Sequence, residues 1–210
     1  MNTKRIQWAF GCLSLVTLLA GSSGLASAVE LFRFTDAFAS AFFFSTDAAG
    51  CVITNVFLSA GNDVDHGPPG NPTKTSGASL FLLQFDTCNF RFVSGSGFAS
   101  GVNFQTNPPV MQATLTATIP VDFFAFPEPP RSVNVAVSMT WTGTAGLSRE
   151  LRNLHFFFPD LIINSSFSGN FREAQATGSV SDGTTNFTPN PSAGADIGFE
   201  GGHEVRVDRH

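Results

Sequence analysis

The chain has 210 residues, 42% hydrophobic and 13% charged, with a net charge of −5, 24 Phe and no Tyr. That apolar content excludes a disordered chain, irregular glycine placement excludes collagen, and scarce Lys and Glu exclude a coiled coil. The acidic balance argues against a nucleic-acid partner, and losing a leader with Lys4 and Arg5 would move the charge from −5 to −7.

Lys4 and Arg5 precede an apolar run, Trp8 to Ala20, and Ala26-Ser27-Ala28 follows as an Ala-x-Ala ending. A basic start, a short apolar stretch and a small-residue cleavage site predict a secretory signal peptide over 1–28. Cys12 lies inside the apolar run rather than after it, which speaks against a lipoprotein. No later stretch reaches the ~20 apolar residues of a transmembrane helix. Residues 29–210 are therefore expected to form one all-β domain, secreted to the extracellular space or the periplasm.

In chain order, the first strand candidate is 36–44, followed by Ser45 to Gly50 as a hairpin loop. Two apolar segments come next, Cys51 to Ser59 and Ser79 to Cys88. With Cys12 removed, two cysteines remain in an exported chain, and they suggest a disulfide. Antiparallel pairing with Cys51 opposite Cys88 would set Val52 against Thr87, Thr54 against Phe85, Val56 against Leu83 and Leu58 against Phe81. These pairs form one mainly apolar face, while Ile53 with Asp86, Asn55 with Gln84 and Phe57 with Leu82 form a mixed one.

Further strand candidates lie at 90–94 and 100–106. From 111 to 123 the odd positions run Met111, Ala113, Leu115, Ala117, Ile119, Val121 and Phe123; from 133 to 141 they run Val133, Val135, Val137, Met139 and Trp141. Alternation over such lengths, rich in Val and Thr, marks strands with one buried face. Trp141 is in phase with that face and reads as core. Gly143 to Gly146 reads as a second hairpin loop. Candidates at 154–158, 161–171, 173–180, 195–199 and 203–207 complete the set. Between Phe171 and Ala174 the apolar phase switches from odd to even, which predicts a β-bulge. The fold expected is an antiparallel β-sandwich or closed β-barrel of about eight to ten strands.

Three stretches are similar to a group of uncharacterised secreted bacterial all-β proteins: Thr46-Asp47-Ala48-Ala49-Gly50-Cys51, Thr140-Trp141-Thr142-Gly143-Thr144 and Ser181-Asp182-Gly183-Thr184-Thr185-Asn186-Phe187-Thr188-Pro189. The resemblance implies secretion and a β fold, and attaches no activity. The chain departs from that group in lacking Tyr, with Phe in its place.

Ala60 to Gly77 reads as a long connection, and structureless connections of that length are often functional. Asp63, Asp65 and His66 are its candidate ligand-binding residues. Asn62-Asp63-Val64-Asp65-His66-Gly67 places oxygen ligands at alternate positions, as a calcium loop does, but lacks the downstream bidentate Glu. No cofactor or metal is expected beyond this partial calcium pattern at Asp63 and Asp65. The four histidines lack zinc spacing, and Glu200-Gly201-Gly202-His203-Glu204 reads as a surface tail. Phe42-Phe43-Phe44, Phe123-Phe124 and Phe156-Phe157-Phe158 must each send a ring away from the core, so Phe43, Phe124 and Phe157 are candidates for an aromatic contact surface. Thr114, Thr116 and Thr118 with Ser138, Thr140 and Thr142 form a polar face; regular Thr arrays can order water, as on ice-binding surfaces, but the favoured account is an ordinary solvent face that uses Thr for β-propensity.

Nucleophile elbows, zinc-protease helices and phosphate loops are absent from the sequence. Asp122, Glu128, Asp160 and Glu173 could serve as a hydrolase's carboxylates, and Ser148 has no motif around it. Catalytic residues are not identified. The leading expectation is a secreted non-catalytic binding or structural β-domain, contacting an extracellular ligand or surface through 60–77 and exposed Phe. A secreted hydrolase of an extracellular polymer stands second, marked by a pocket holding two or more perturbed acids. A small outer-membrane β-barrel stands third, disfavoured by the absence of Tyr and by a C-terminal end without an aromatic residue.

Overall fold

A sheet with one apolar phase satisfies its alternation by curling until that phase faces itself. The computed structural model describes residues 29–65, 73–107, 110–125 and 127–208, and these residues fold in this way. Ten strands follow one another: β1 (Val29–Thr46), β2 (Val52–Asp65), β3 (Thr73–Asp86), β4 (Arg91–Ser100), β5 (Asn103–Asn107), β6 (Gln112–Ala125), β7 (Glu128–Gly143), β8 (Ser148–Phe157), β9 (Leu161–Ser181) and β10 (Gly194–Asp208). Eight of them close a ring in the order β1-β2-β3-β4-β6-β7-β9-β10, with β10 returning to β1. All the pairings are antiparallel. Of the two architectures expected, the closed barrel is the one formed. The predicted leader, 1–28, lies outside the described residues.

Two short strands lie off the ring. β5 takes over along β6 where β4 leaves it, with Gly97 opposite Val121 and Asn103 opposite Thr116. In the same way β8 takes over along β9 from β7, with Gly143 opposite Ala174 and Ser148 opposite Phe171. The expected hairpin at Gly143 to Gly146 is therefore corrected: β7 and β8 share the partner β9 instead of pairing with each other. The bulge expected between Phe171 and Ala174 is corrected too. β9 stays in unbroken register with β10 from Leu161 to Ala174. What changes is the buried face: Phe167 and Phe171 are covered on the outside of the sheet, while Ala176 and Val180 point into the barrel. Phe171 owes its cover to Phe38, whose ring centroid lies 5.8 Å away.

Cys51 and Cys88 form a disulfide with Cα atoms 5.4 Å apart, yet the expected register is off by one. Val52 faces Asp86, Val56 faces Leu82 and Leu58 faces Leu80. The cause is local turn chemistry. Asp86 Oδ1 accepts the N–H groups of Cys88 and Asn89 at 3.0 and 2.9 Å, so the chain turns directly after Asp86 and Cys88 falls within that turn. Asp47 Oδ1 does the same for Cys51 and Val52 at 2.7 and 2.9 Å. The bond thus joins two turns rather than two opposed ladder positions. A slip of one residue inverts β3: Leu80 and Leu82 fill the barrel, while Phe81 and Phe85 face out.

The interior is apolar. Val56, Leu58, Leu80, Leu82, Leu115, Ile119, Val121, Val135, Val137, Val180 and Ile197 are fully buried there, around Trp141. An eight-stranded barrel is just wide enough for side chains to fill, and here they do. Trp141 Nε1 donates to the carbonyl of Ser40 at 2.9 Å, which satisfies its single donor inside the core. Between β9 and β10 the chain folds back on the barrel end. Phe187 enters the core 6.4 Å from Phe123, and buried Thr188 accepts the Val180 N–H through Oγ1 at 3.1 Å.

Candidate functional site

Outward positions of β10, β1, β2 and β3 form a cleft of about 730 Å³, within the usual range for small-ligand sites. Its floor is made by absent side chains. Gly61 lies opposite Gly77, between Phe38 on β1 and Ser100 on β4. A Cβ on Gly77 would come within 3.0 Å of the Phe98 ring; glycine there lets Phe98 lean across the floor. Phe38 and Phe98 form the walls. Ser59 and Ser79, hydrogen-bonded to each other at 2.8 Å, continue the lining toward the barrel's middle.

Four carboxylates enter the cleft: Asp36, Asp63, Asp196 and Glu200. Register brings three of them together, because Asp36 is directly opposite Asp63 on one side and Glu200 on the other. Side chains so opposed have Cβ atoms about 5 Å apart, close enough for strong like-charge repulsion. Glu200 is buried. Burial, a hydrogen bond with Asp63 and the charges of Asp63 and Glu200 push Asp36 up from 3.8 to about 8. Asp36 is therefore protonated at neutral pH and hydrogen-bonded to Asp63. The Oδ1 atoms of Asp36, Asp63 and Asp65 are shut off from solvent without a hydrogen-bond partner. Ser40 Oγ donates to Asp196 Oδ1. Among the described residues, no Lys, Arg or His lines the cleft.

The residues singled out in the sequence are scattered by the fold. Asp63 lines the cleft, and Asp65 stands one outward position beyond it on β2. Both lie on a strand: the segment from Ala60 to Gly77 is not a long connection but the extension of β2 to Asp65 and of β3 from Thr73. His66 falls outside the described residues. Of the calcium-loop pattern, Asn62 to Asp65 are extended on β2 and the rest lies outside the described residues, among which no three His, Cys, Asp or Glu are arranged to hold a metal ion. Phe43 is 2% exposed inside the barrel, which removes it as a surface contact; the strand sends Phe44 outward instead, at 49%. Phe124 and Phe157 are exposed but far apart in the sheet, on β6 opposite Ser94 and at the end of β8.

The acids considered for hydrolysis fare similarly. Asp122 accepts from Ser132, and Glu128 pairs with Arg91 on an exposed edge. Asp160 is exposed, and Glu173 lies opposite Asp196 beside the cleft without lining it. The supposed tail from Glu200 to Glu204 is part of β10, where His203 Nε2 and Ser166 Oγ are 2.9 Å apart. Asp36 and Asp196 carry no signal in the sequence and Glu200 reads there only as part of a tail; the three have no shared motif and lie as much as 164 positions apart (Asp36 to Glu200).

No protein family, curated protein or solved structure matches the chain. Among the described residues, no helix is long and apolar enough to cross a membrane.

Proposed function

We infer that this is a secreted binding protein whose cleft takes a small organic cation, an amine or guanidinium with apolar substituents. The observation that carries this reading is the cleft's chemistry: four carboxylates and two phenyl walls line one cleft. A cation there would offset the neighbouring negative charges that, with burial, keep Asp36 protonated, and would gain about 0.5–2 kcal/mol from each ring face it meets. The disulfide and the predicted leader support an exported protein.

Isothermal titration with tetramethylammonium and arginine methyl ester, against a neutral oligosaccharide, tests the reading. Both cations should bind, and affinity should rise with pH toward 8 as Asp36 gives up its proton. Asp63→Asn should weaken binding about ten- to hundredfold, the scale of a lost charged contact. Gly77→Val, which fills the floor beneath Phe98, should abolish binding with stability changed by less than about 1 kcal/mol. Binding of the oligosaccharide alone would overturn the cationic ligand.

A hydrolase remains as the second reading because Asp36, held protonated, is hydrogen-bonded to the Asp63 carboxyl in a cleft, and paired carboxyl groups are what acid–base hydrolysis uses. Turnover of an extracellular polymer, lost in Asp36→Asn, would replace binding by catalysis. A membrane-spanning barrel is not favoured. Its outer band would have to be apolar all round, whereas outward positions of β6, β7 and β9 carry rows such as Thr114, Thr140 and Thr177.

A further inference from the structure

A second surface stands apart from the cleft's floor and its acids. The outer face of β1 to β4, with the end of β6, is a continuous phenyl field. Phe42, Phe57 and Phe81 occupy one row across three strands, with ring centroids 4.6 and 6.3 Å apart along it. The next row toward the disulfide runs Phe44, Asn55, Leu83, Ser94 and Phe124, and the one after it Ile53, Phe85 and Phe92. No charged residue interrupts these last two rows.

We propose that this face is a homodimer interface, covered in solution by the same face of a second copy of the chain. Area is the first argument. Phe44, Phe57, Phe81, Phe85, Phe92 and Phe124 are each between 42% and 52% exposed. At about 200 Å² per ring these six alone present roughly 600 Å², the upper end of what a monomer's largest patch shows. Ile53, Leu83 and the intervening serines bring the face to about 800 Å², which is what each partner contributes to a standard interface. Charge is the second argument. The field is aromatic and uncharged across β1 to β4 and bordered by charges such as Asp47, Asp86, Arg91 and Asp122, the last ending the Phe42 row opposite Ser96, the composition of an interface core within its rim. A neutral patch is complementary to itself and needs no oppositely charged partner. A chain of net charge −5, with no basic cluster in this field, is by contrast poorly suited to an anionic membrane. Two-fold pairing also closes the assembly, since one patch meets its own copy and leaves none open.

Sedimentation velocity of the mature protein across low to high micromolar concentration tests this. The wild type should sediment as a dimer, and Phe57→Thr/Phe81→Thr as a monomer; Thr keeps β-propensity at these outward positions, so the melting profile of the monomer should stay cooperative. Ser94→Arg, which keeps every phenyl and sets a charge between Leu83 and Phe124, should raise the dissociation constant at least tenfold. A wild type that stays monomeric throughout, or a dimer that survives both variants, overturns the proposal. So does a monomeric wild type that co-sediments with phosphatidylcholine vesicles, which would assign the field to a bilayer. None of these variants removes a cleft acid or the Gly77 floor, so cation binding and dimerisation fail independently.

Discussion

Trp141 and Asp36 show two ways in which single side chains are held. Trp141 was readable from its phase with Val133 to Met139, and it is fully buried with its indole N–H bonded to Ser40. Truncation to Ala leaves a large hole in a filled barrel and should cost about 3–5 kcal/mol in urea unfolding. Asp36 has no such sequence signal; its environment comes from two neighbouring strands. Its pKa lies at about 8 in the folded protein against an ordinary 3.8, so between these values the unfolded chain sheds a proton that the folded chain keeps. The stability this group contributes is complete below about pH 4 and is lost as the pH rises through 8. Among the described residues, Asp63, Glu200 and Asp196 are the charged groups that share its cleft. Equilibrium unfolding from pH 4 to 9 should therefore show stability falling with pH, and Asp36→Asn should flatten that decline.

At the scale of elements, long alternation was the dependable guide. β6 and β7 were anticipated nearly as they occur, because a buried phase repeated over five or more residues has one interpretation. β3 was anticipated inside out. Its sequence from Ser79 to Asp86 alternates apolar residues on both phases, so periodicity could not choose between Leu80 with Leu82 and Phe81 with Phe85; the turn at Asp86 chose. The disulfide lies in those turns and not in the ladder, so register should survive its loss. Cys51→Ser/Cys88→Ser should lower stability by about 4 kcal/mol, the loop-entropy term for a bridge closing 37 positions. Amide exchange in the double variant should still protect the β2–β3 pairs; their loss would show that the bond, not the turn, sets register. The segment from Ala60 to Gly77 was misjudged for a related reason. Its Gly, Ser and Asp residues read as turn formers, whereas here the glycines keep strands flat beneath Phe98 and the acids face a cleft.

The whole molecule depends on closure between its two ends. β1 and β10 pair over 14 residues, and β10 also pairs with β9, so the last strand completes the ring and carries Ile197 into the core. Deleting 194–210 should replace cooperative thermal unfolding with a broad transition and expose core to a hydrophobic dye. The same closure builds the cleft, which draws Glu200 and Asp196 from the end of the chain to Asp36 near its start. By itself the sequence determined the all-β class, the two best strands, the cysteine pairing and the identity of the buried tryptophan. These follow from local periodicity and composition, which a single strand carries within itself. Only the tertiary structure decided that the sheet closes, which phase of β3 turns inward, that four distant acids share one cleft and that the phenyl rings gather on one outer face. Those outcomes depend on register between strands, and register is a property of pairs, fixed where turns and closing contacts make one alignment bury more than its neighbours.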